Sequence, residues 1–211
     1  MLISVLIIER IVYMNQHLTD RRIRKTKKIL QDTLIELMNE KPIENITIKD
    51  LTERADLNRG TFYLHYQDIF DLLEQIENEM LQEMSDILNK IDPFTFSEYN
   101  AKGKAYPPIV ELFEWFKSNY KFGNALMGAN GNISFLEKIK TVVENQFFKK
   151  KCELDTKKLN TEGSEYFYAY VIFGFLGIIK QWYENNLSIP SNEMALILVK
   201  FALMDTKTDS K

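Results

Sequence analysis

The sequence predicts an all-α protein, and three observations carry that expectation. Apolar residues recur at helical spacing in segment after segment, as in Ile23, Leu30, Leu34, Leu37 and Met38. All five prolines fall between such segments or in their first turns, where a missing N–H does no harm. No stretch shows the alternation that a half-buried strand requires.

The first amphipathic helix is expected from about Asp20 to Asn39, with Pro42 breaking the chain after it. Thr47 stands three residues before Asp50, an N-cap paired with an acid in the first turn, so a short helix is expected over Ile48–Ala55. Asp56-Leu57 then makes a tight turn in which Asp56 takes the left-handed conformation. Asn58 caps a second short helix that ends near Tyr63 or His65. Asp68 caps a long one, with Ile69, Leu72, Leu73, Ile76, Met80 and Ile87 on one face and Pro93 beyond its end. Further helices are expected from Pro107-Pro108 through Leu112, Trp115 and Phe116, over Ser134 to Lys150, over Glu165 to Asn185, and after Pro190.

Composition bounds the function. The chain has 211 residues, 45% of them hydrophobic, and a formal charge of −3, which argues against a protein that coats nucleic acid over its whole surface. A local basic patch remains compatible with that balance. Cys152 is the single cysteine, which excludes an intramolecular disulfide framework and fits a reducing cytoplasm. Leu2 to Ile8 is an apolar run too short to span a bilayer, without the flank or cleavage site of a secretory signal. Met14 stands just before a basic helix. Residues 1–13 therefore read either as an upstream start assignment or as a genuine arm, and residues 1–19 are set apart as an extension.

Two short helices joined by a tight turn are the core of a helix-turn-helix. The second presents Arg59, Gly60 and Thr61 at its start. Arg59 offers a planar fork suited to guanine O6 and N7, and Gly60 removes a side chain where a duplex would approach. Tyr63 and His65 are suited to phosphate oxygens. Upstream, Arg21, Arg22, Arg24, Lys25, Lys27 and Lys28 place six cations within eight residues, against the helix dipole. An isolated basic run is more often a solvated face. Beside a helix-turn-helix, counterion release from DNA supplies the favourable term.

These stretches resemble the DNA-binding domain of the tetracycline-repressor family over residues 20 to 73. The likeness is carried by Arg24-Lys25-Thr26-Lys27-Lys28-Ile29-Leu30, by Ile46-Thr47-Ile48-Lys49-Asp50-Leu51, and by Asn58-Arg59-Gly60-Thr61-Phe62-Tyr63-Leu64-His65-Tyr66 with Asp71-Leu72-Leu73. It implies that Arg59 and Thr61 face bases while Thr47, Tyr63 and His65 hold the backbone. It also implies DNA contacts from Arg24, Lys25, Thr26, Lys28, Lys49, Asn58 and Gly60. Ile69 departs from the family's usual lysine, and Asp56 from its common turn glycine. Tyr170 to Trp182 is similar to the penultimate helix of one regulatory-domain subgroup.

The expected organisation is an extension (1–19), a helix-turn-helix domain (20–67), a helical regulatory and dimerisation domain (68–205) and a tail (206–211). From Met194 to Met204 only Lys200 is polar, so the last helix needs burial on more than one side. Phe173, Gly174, Gly177, Ile178, Trp182, Ile197, Leu198 and Phe201 are the expected homodimer interface. Met84, Phe113, Phe116, Tyr120 and Tyr168 are the expected lining of a pocket for a small apolar or aromatic effector, although aromatic residues at helical spacing are more often core. His17 and His65 stand in no metal-ligand spacing, and no phosphate loop or nucleophile–base arrangement is present. No cofactor, no metal and no enzymatic activity are expected. The function expected is that of a dimeric regulator, a repressor released from a palindromic operator by its effector. The competing reading is a co-activator that acts through a metabolite-sensing partner protein.

Overall fold

The computed structural model describes residues 2–92, 95, 98–99, 102–127, 133–154 and 164–204, and it is helical as expected. Helix α1 (Leu2–Glu40) is followed by a 3₁₀ turn (Ile43–Asn45), α2 (Ile48–Arg54), α3 (Arg59–Tyr63) and α4 (Ile69–Asn89). Beyond α4 come α5 (Pro107–Ser118), α6 (Tyr120–Met127), α7 (Ile133–Leu154), α8 (Ser164–Glu184) and α9 (Ser191–Met204). The chain divides into two compact units, Met1–Ile76 and Glu77–Lys211. The division falls inside α4, whose Ile69, Leu72, Leu73 and Ile76 are buried.

Helix α1 begins some eighteen residues before the expected start. Residues 2–40 contain neither glycine nor proline, so nothing local stops the helix from running on. The side chains of 1–19 and the tail 206–211 lie outside the described residues. Within the first unit Leu30, Leu34, Leu51, Phe62 and Leu72 are fully buried, which fixes α1, α2, α3 and the first turns of α4 around one centre. At the other end α4 closes with tight turns from Lys90 to Ile87 and from Ile91 to Leu88, and it stops at Asn89, before Pro93.

In the second unit α5 carries two prolines in its first turn and packs against α9, while α6 and α7 pack against α8. Phe113, Phe116, Phe175 and Trp182 form an edge-to-face cluster, with Phe113 and Trp182 centroids 5.5 Å apart. Trp182 is 2% exposed, and its Nε1 donates to the Ile189 carbonyl at 2.9 Å across the α8–α9 turn. Trp182, expected at the homodimer interface, is thus covered within its own chain. In the same turn Asn186 and Leu187 both take left-handed backbone, and the N–H of Leu187 donates to the Trp182 carbonyl.

Helix α6 has no counterpart in the sequence expectation. Gly123 sits at its middle because a Cβ there would lie 2.6 Å from the Tyr183 ring and hydroxyl. Tyr183 cannot easily yield, since it is buried and its hydroxyl donates to the Phe116 carbonyl at 2.8 Å. Burial pushes the Tyr183 phenol well up from its ordinary pKa.

Two polar contacts fix α7 on α4. Lys138 Nζ lies 2.6 Å from Glu77 Oε2, and Gln146 Nε2 donates to Ser85 Oγ at 2.7 Å. Both partners advance by eight residues from the first contact to the second, so the two helices run parallel in register. Glu77 is buried, which makes its pairing with Lys138 costly to break from either side.

Candidate nucleic-acid interface

The helix-turn-helix is held by local hydrogen bonds that the sequence spells out. At the start of α2 the Asp50 N–H donates to Thr47 Oγ1 at 3.1 Å, and the Thr47 N–H donates back to Asp50 Oδ2 at 3.0 Å. Lys41 Nζ closes on the same Oδ2 at 2.8 Å, tying the end of α1 to α2. Arg54 and Glu40 make a second bridge between these helices, which lowers the carboxyl pKa of Glu40 and raises that of the guanidinium. The turn after α2 is made by Asp56 at φ 52°, as its short polar side chain permits. Asn58 Oδ1 then accepts from the Gly60 N–H at 2.8 Å and starts α3.

The Lys41 hydrogen bond, followed by those from Thr47, holds the Asp50 carboxyl down to about 2 from its ordinary 3.8. A carboxyl depressed in the folded state stabilises the fold above its unfolded pKa and loses that contribution as pH falls toward the folded value. The cap is therefore expected to be intact above pH ~4 and to weaken between about pH 4 and 2. Asp50→Asn should flatten that acid limb in thermal melts followed by helical circular dichroism. An unchanged pH profile in the variant would mean that other carboxyls govern it.

Helix α3 turns one face outward. Arg59, Gly60, Tyr63 and Leu64 are exposed, while Phe62 is fully buried and Thr61 half-buried. At about 100° per residue the four exposed positions fall within an arc of roughly 140°. Gly60 has ordinary helical backbone, and a Cβ there would meet only its own cap oxygen, at 3.3 Å. A Cβ there would press on that oxygen by a few tenths of an ångström and on nothing else, so internal packing makes only a slight demand for the glycine. The missing side chain leaves a notch open to whatever approaches this face.

On α1, Arg24, Lys25 and Lys28 are exposed and Thr26 is half-buried. Lys28 pairs with Asp32 at 2.9 Å, and Lys49 lies 3.8 Å from Glu53. Both pairs are solvent-exposed and of little worth, so either cation can exchange its partner for a phosphate. Lys27 instead leans over its own unit, 5.6 Å from the Tyr66 ring centroid. Thr47 and Asn58 spend their side-chain oxygens on caps, so the O–H and the amide NH₂ are what each has left to offer. His65 is half-buried against Tyr66, whereas Tyr63 is exposed. Ile69 is buried, so where the family resemblance expects a lysine this chain presents no cation. Leu64, 79% exposed, is a surface residue of α3's outward face to which the sequence alone assigned no role. Its place four residues after Gly60 was the available signal.

Among the described residues, one residue of the expected effector lining stands at a small cavity. Phe116 lines a cavity in the second unit together with Met80, Trp115, Phe122, Phe135 and Tyr183, but its volume of about 20 Å³ has room for a single water. Met84 and Phe113 are buried away from that cavity, Tyr120 stacks edge-on against Tyr183, and the side chain of Tyr168 lies outside the described residues.

With this geometry in view, two family models match the chain. Residues 30–76 match the model described as bacterial regulatory proteins, tetR family, and residues 104–203 match a transcriptional regulator C-terminal region of the same group. The chain belongs to the tetR family. Members of that family are DNA-binding transcriptional regulators and not enzymes. The chain is 30% identical over 92 residues to the uncharacterized HTH-type transcriptional regulator YxbF of Bacillus subtilis (strain 168). That match covers 42% of this chain and 24% of YxbF, so it spans about a quarter of the relative's length. The TetR transcriptional regulator from Streptococcus agalactiae 2603V superposes with a TM-score of 0.60 at 19% identity, covering 88% of this chain and 98% of that one. The dihydroxyacetone kinase operon activator DhaS superposes at 0.52 and 16% identity, covering 86% and 96%. Identities this low show a shared fold. No helix among the described residues is long and apolar enough to cross a membrane.

Proposed function

We propose that this tetR-family regulator works in the cytoplasm as a homodimer on a palindromic operator, as a repressor that a small apolar or aromatic effector releases. The observation that carries the proposal is a stripe along α8. Tyr166, Tyr170, Phe173, Gly174 and Gly177 are exposed at helical spacing, and no atom lies within 4 Å of where a Cβ on either glycine would stand. Phe201 on α9 is exposed as well, with Ile178, Ile197 and Leu198 half-buried. A large apolar face of this kind is normally covered, and a second copy of the chain supplies a matching one. A dimer then presents two copies of α3, whose separation must match about one turn of DNA, ~34 Å, or a multiple.

DNA contact is assigned to the outward face of α3 and to the cations of α1. Arg59→Ala is expected to weaken specific binding by about 1–3 kcal/mol and to relax preference at one base pair per half-site, measured by titration of operator and random duplexes. An equal loss on both duplexes would reassign Arg59 to phosphate.

The size of the second-unit cavity favours a second reading. Small-molecule sites enclose about 300–1,000 Å³, so this cavity, with room for one water, would have to widen to take an effector. A co-activator that answers to a partner protein needs no such space. Footprinting the purified protein on its own promoter region, with and without small-molecule extracts, separates the two. Release by an extract supports the effector, whereas indifference to extracts together with a stoichiometric co-purifying protein supports the partner.

A further inference from the structure

We infer that Leu64 reads sequence by covering the 5-methyl group of a thymine in the major groove, with the notch at Gly60 admitting that methyl. The inference rests on the reading that α3 lies in the groove, and it adds to that reading an apolar, sequence-selective contact.

Leu64 continues α3 with helical backbone, φ −71° and ψ −18°, and its N–H donates to the Gly60 carbonyl at 3.2 Å. It therefore stands one turn above Gly60 on the same row, as Tyr63 stands above Arg59. The row has a floor without a side chain and a wall of aliphatic carbon. At 79% exposure the Leu64 side chain makes almost no contact within its own chain, so packing does not account for it. Nor does phosphate binding, since leucine has no donor. What the major groove offers an aliphatic group is the thymine methyl, the one apolar feature among the base edges. The neighbours on the face set the register, because Arg59 suits guanine acceptors and the Tyr63 hydroxyl suits a phosphate. Leu64 would then specify a thymine near the base pair that Arg59 reads.

The test uses the full chain and chemistry that deletes one methyl at a time. A random-sequence duplex library selected with the unaltered protein gives its preferred half-site. Each thymine of the selected duplex is then replaced singly by deoxyuridine, and affinities are measured for the unaltered protein, Leu64→Ala and Arg59→Ala. One deoxyuridine position per half-site should weaken the unaltered protein about fourfold, the worth of roughly one buried methylene. The same replacement should leave Leu64→Ala unchanged, and that variant selected afresh should lose its thymine preference there alone. Leu64→Met, which keeps aliphatic contact, should retain it. Because Leu64 is so exposed, the variants should melt with the unaltered protein, and that is checked first.

If Leu64→Ala responds to every deoxyuridine as the unaltered protein does, the proposal is overturned. It is also overturned if Leu64→Ala binds all sequences equally less well, which would mark contact with sugar and backbone. Failure of the underlying reading looks different, because then Arg59→Ala would also leave the selected sequence and its affinity unaltered.

Discussion

The double variant Gly174→Arg/Gly177→Arg is expected to be a folded monomer that has lost operator affinity by roughly 10³-fold or more. Folding should survive because both glycines face open space, with nothing within 4 Å of a Cβ. Arginine is also the better helix former, by close to 1 kcal/mol per site. Association should not survive, since two cations on each chain would meet across the stripe of Tyr166, Tyr170 and Phe173, with no partner for their charge. The loss on DNA follows from geometry. Specific affinities of about 10⁻⁸ to 10⁻¹¹ M are divided between two half-sites, and a monomer engages one. Sedimentation and operator titration on the same preparation read both effects. A variant that still sediments as a dimer would place the interface elsewhere. A monomer that binds with full affinity would remove the need for paired half-sites.

What could be read from the sequence depended on how far apart the cooperating residues lie. The Thr47–Asp50 box, the left-handed Asp56 and the Asn58 cap were all legible, because each is settled within a few neighbouring residues. The buried face of α4 was legible for the same reason, its period being written into one segment. Helix α6 was not. Its central glycine reads locally as a break, and the reason for it lies sixty residues on, in the ring of Tyr183. The role of Leu64 was hidden because its exposure depends on which way α3 turns, and that is set by burial of Phe62. On α8 the difficulty was of another kind. Aromatic and small residues occupy nearly every side of that helix, so composition could not separate what faces the chain's own core from what faces outward. The structure makes the separation, with Ile172, Leu176, Ile179 and Trp182 inside and Phe173, Gly174 and Gly177 outside.

Trp182 is where that separation has the largest consequence for stability. Trp182→Ala is expected to cost about 3–5 kcal/mol, the range for emptying an indole site in a well-packed core. The ring is lost from against Phe113, 5.5 Å between centroids, and the Ile189 carbonyl loses its donor at the α8–α9 turn. That turn already holds Leu187 at φ 55°, a conformation that a bulky residue adopts only when its surroundings impose it. Trp182→Phe should recover most of the packing and leave a deficit of about 1 kcal/mol for the missing N–H. Denaturant unfolding of the three proteins measures these differences, and sedimentation of the same samples under native conditions measures association. A core residue gives a large loss in the first measurement and unchanged association in the second. If Trp182→Ala instead unfolds at the original denaturant concentration but sediments as a monomer, Trp182 is an interface residue, and the assignment of α8's inner and outer faces must be reversed.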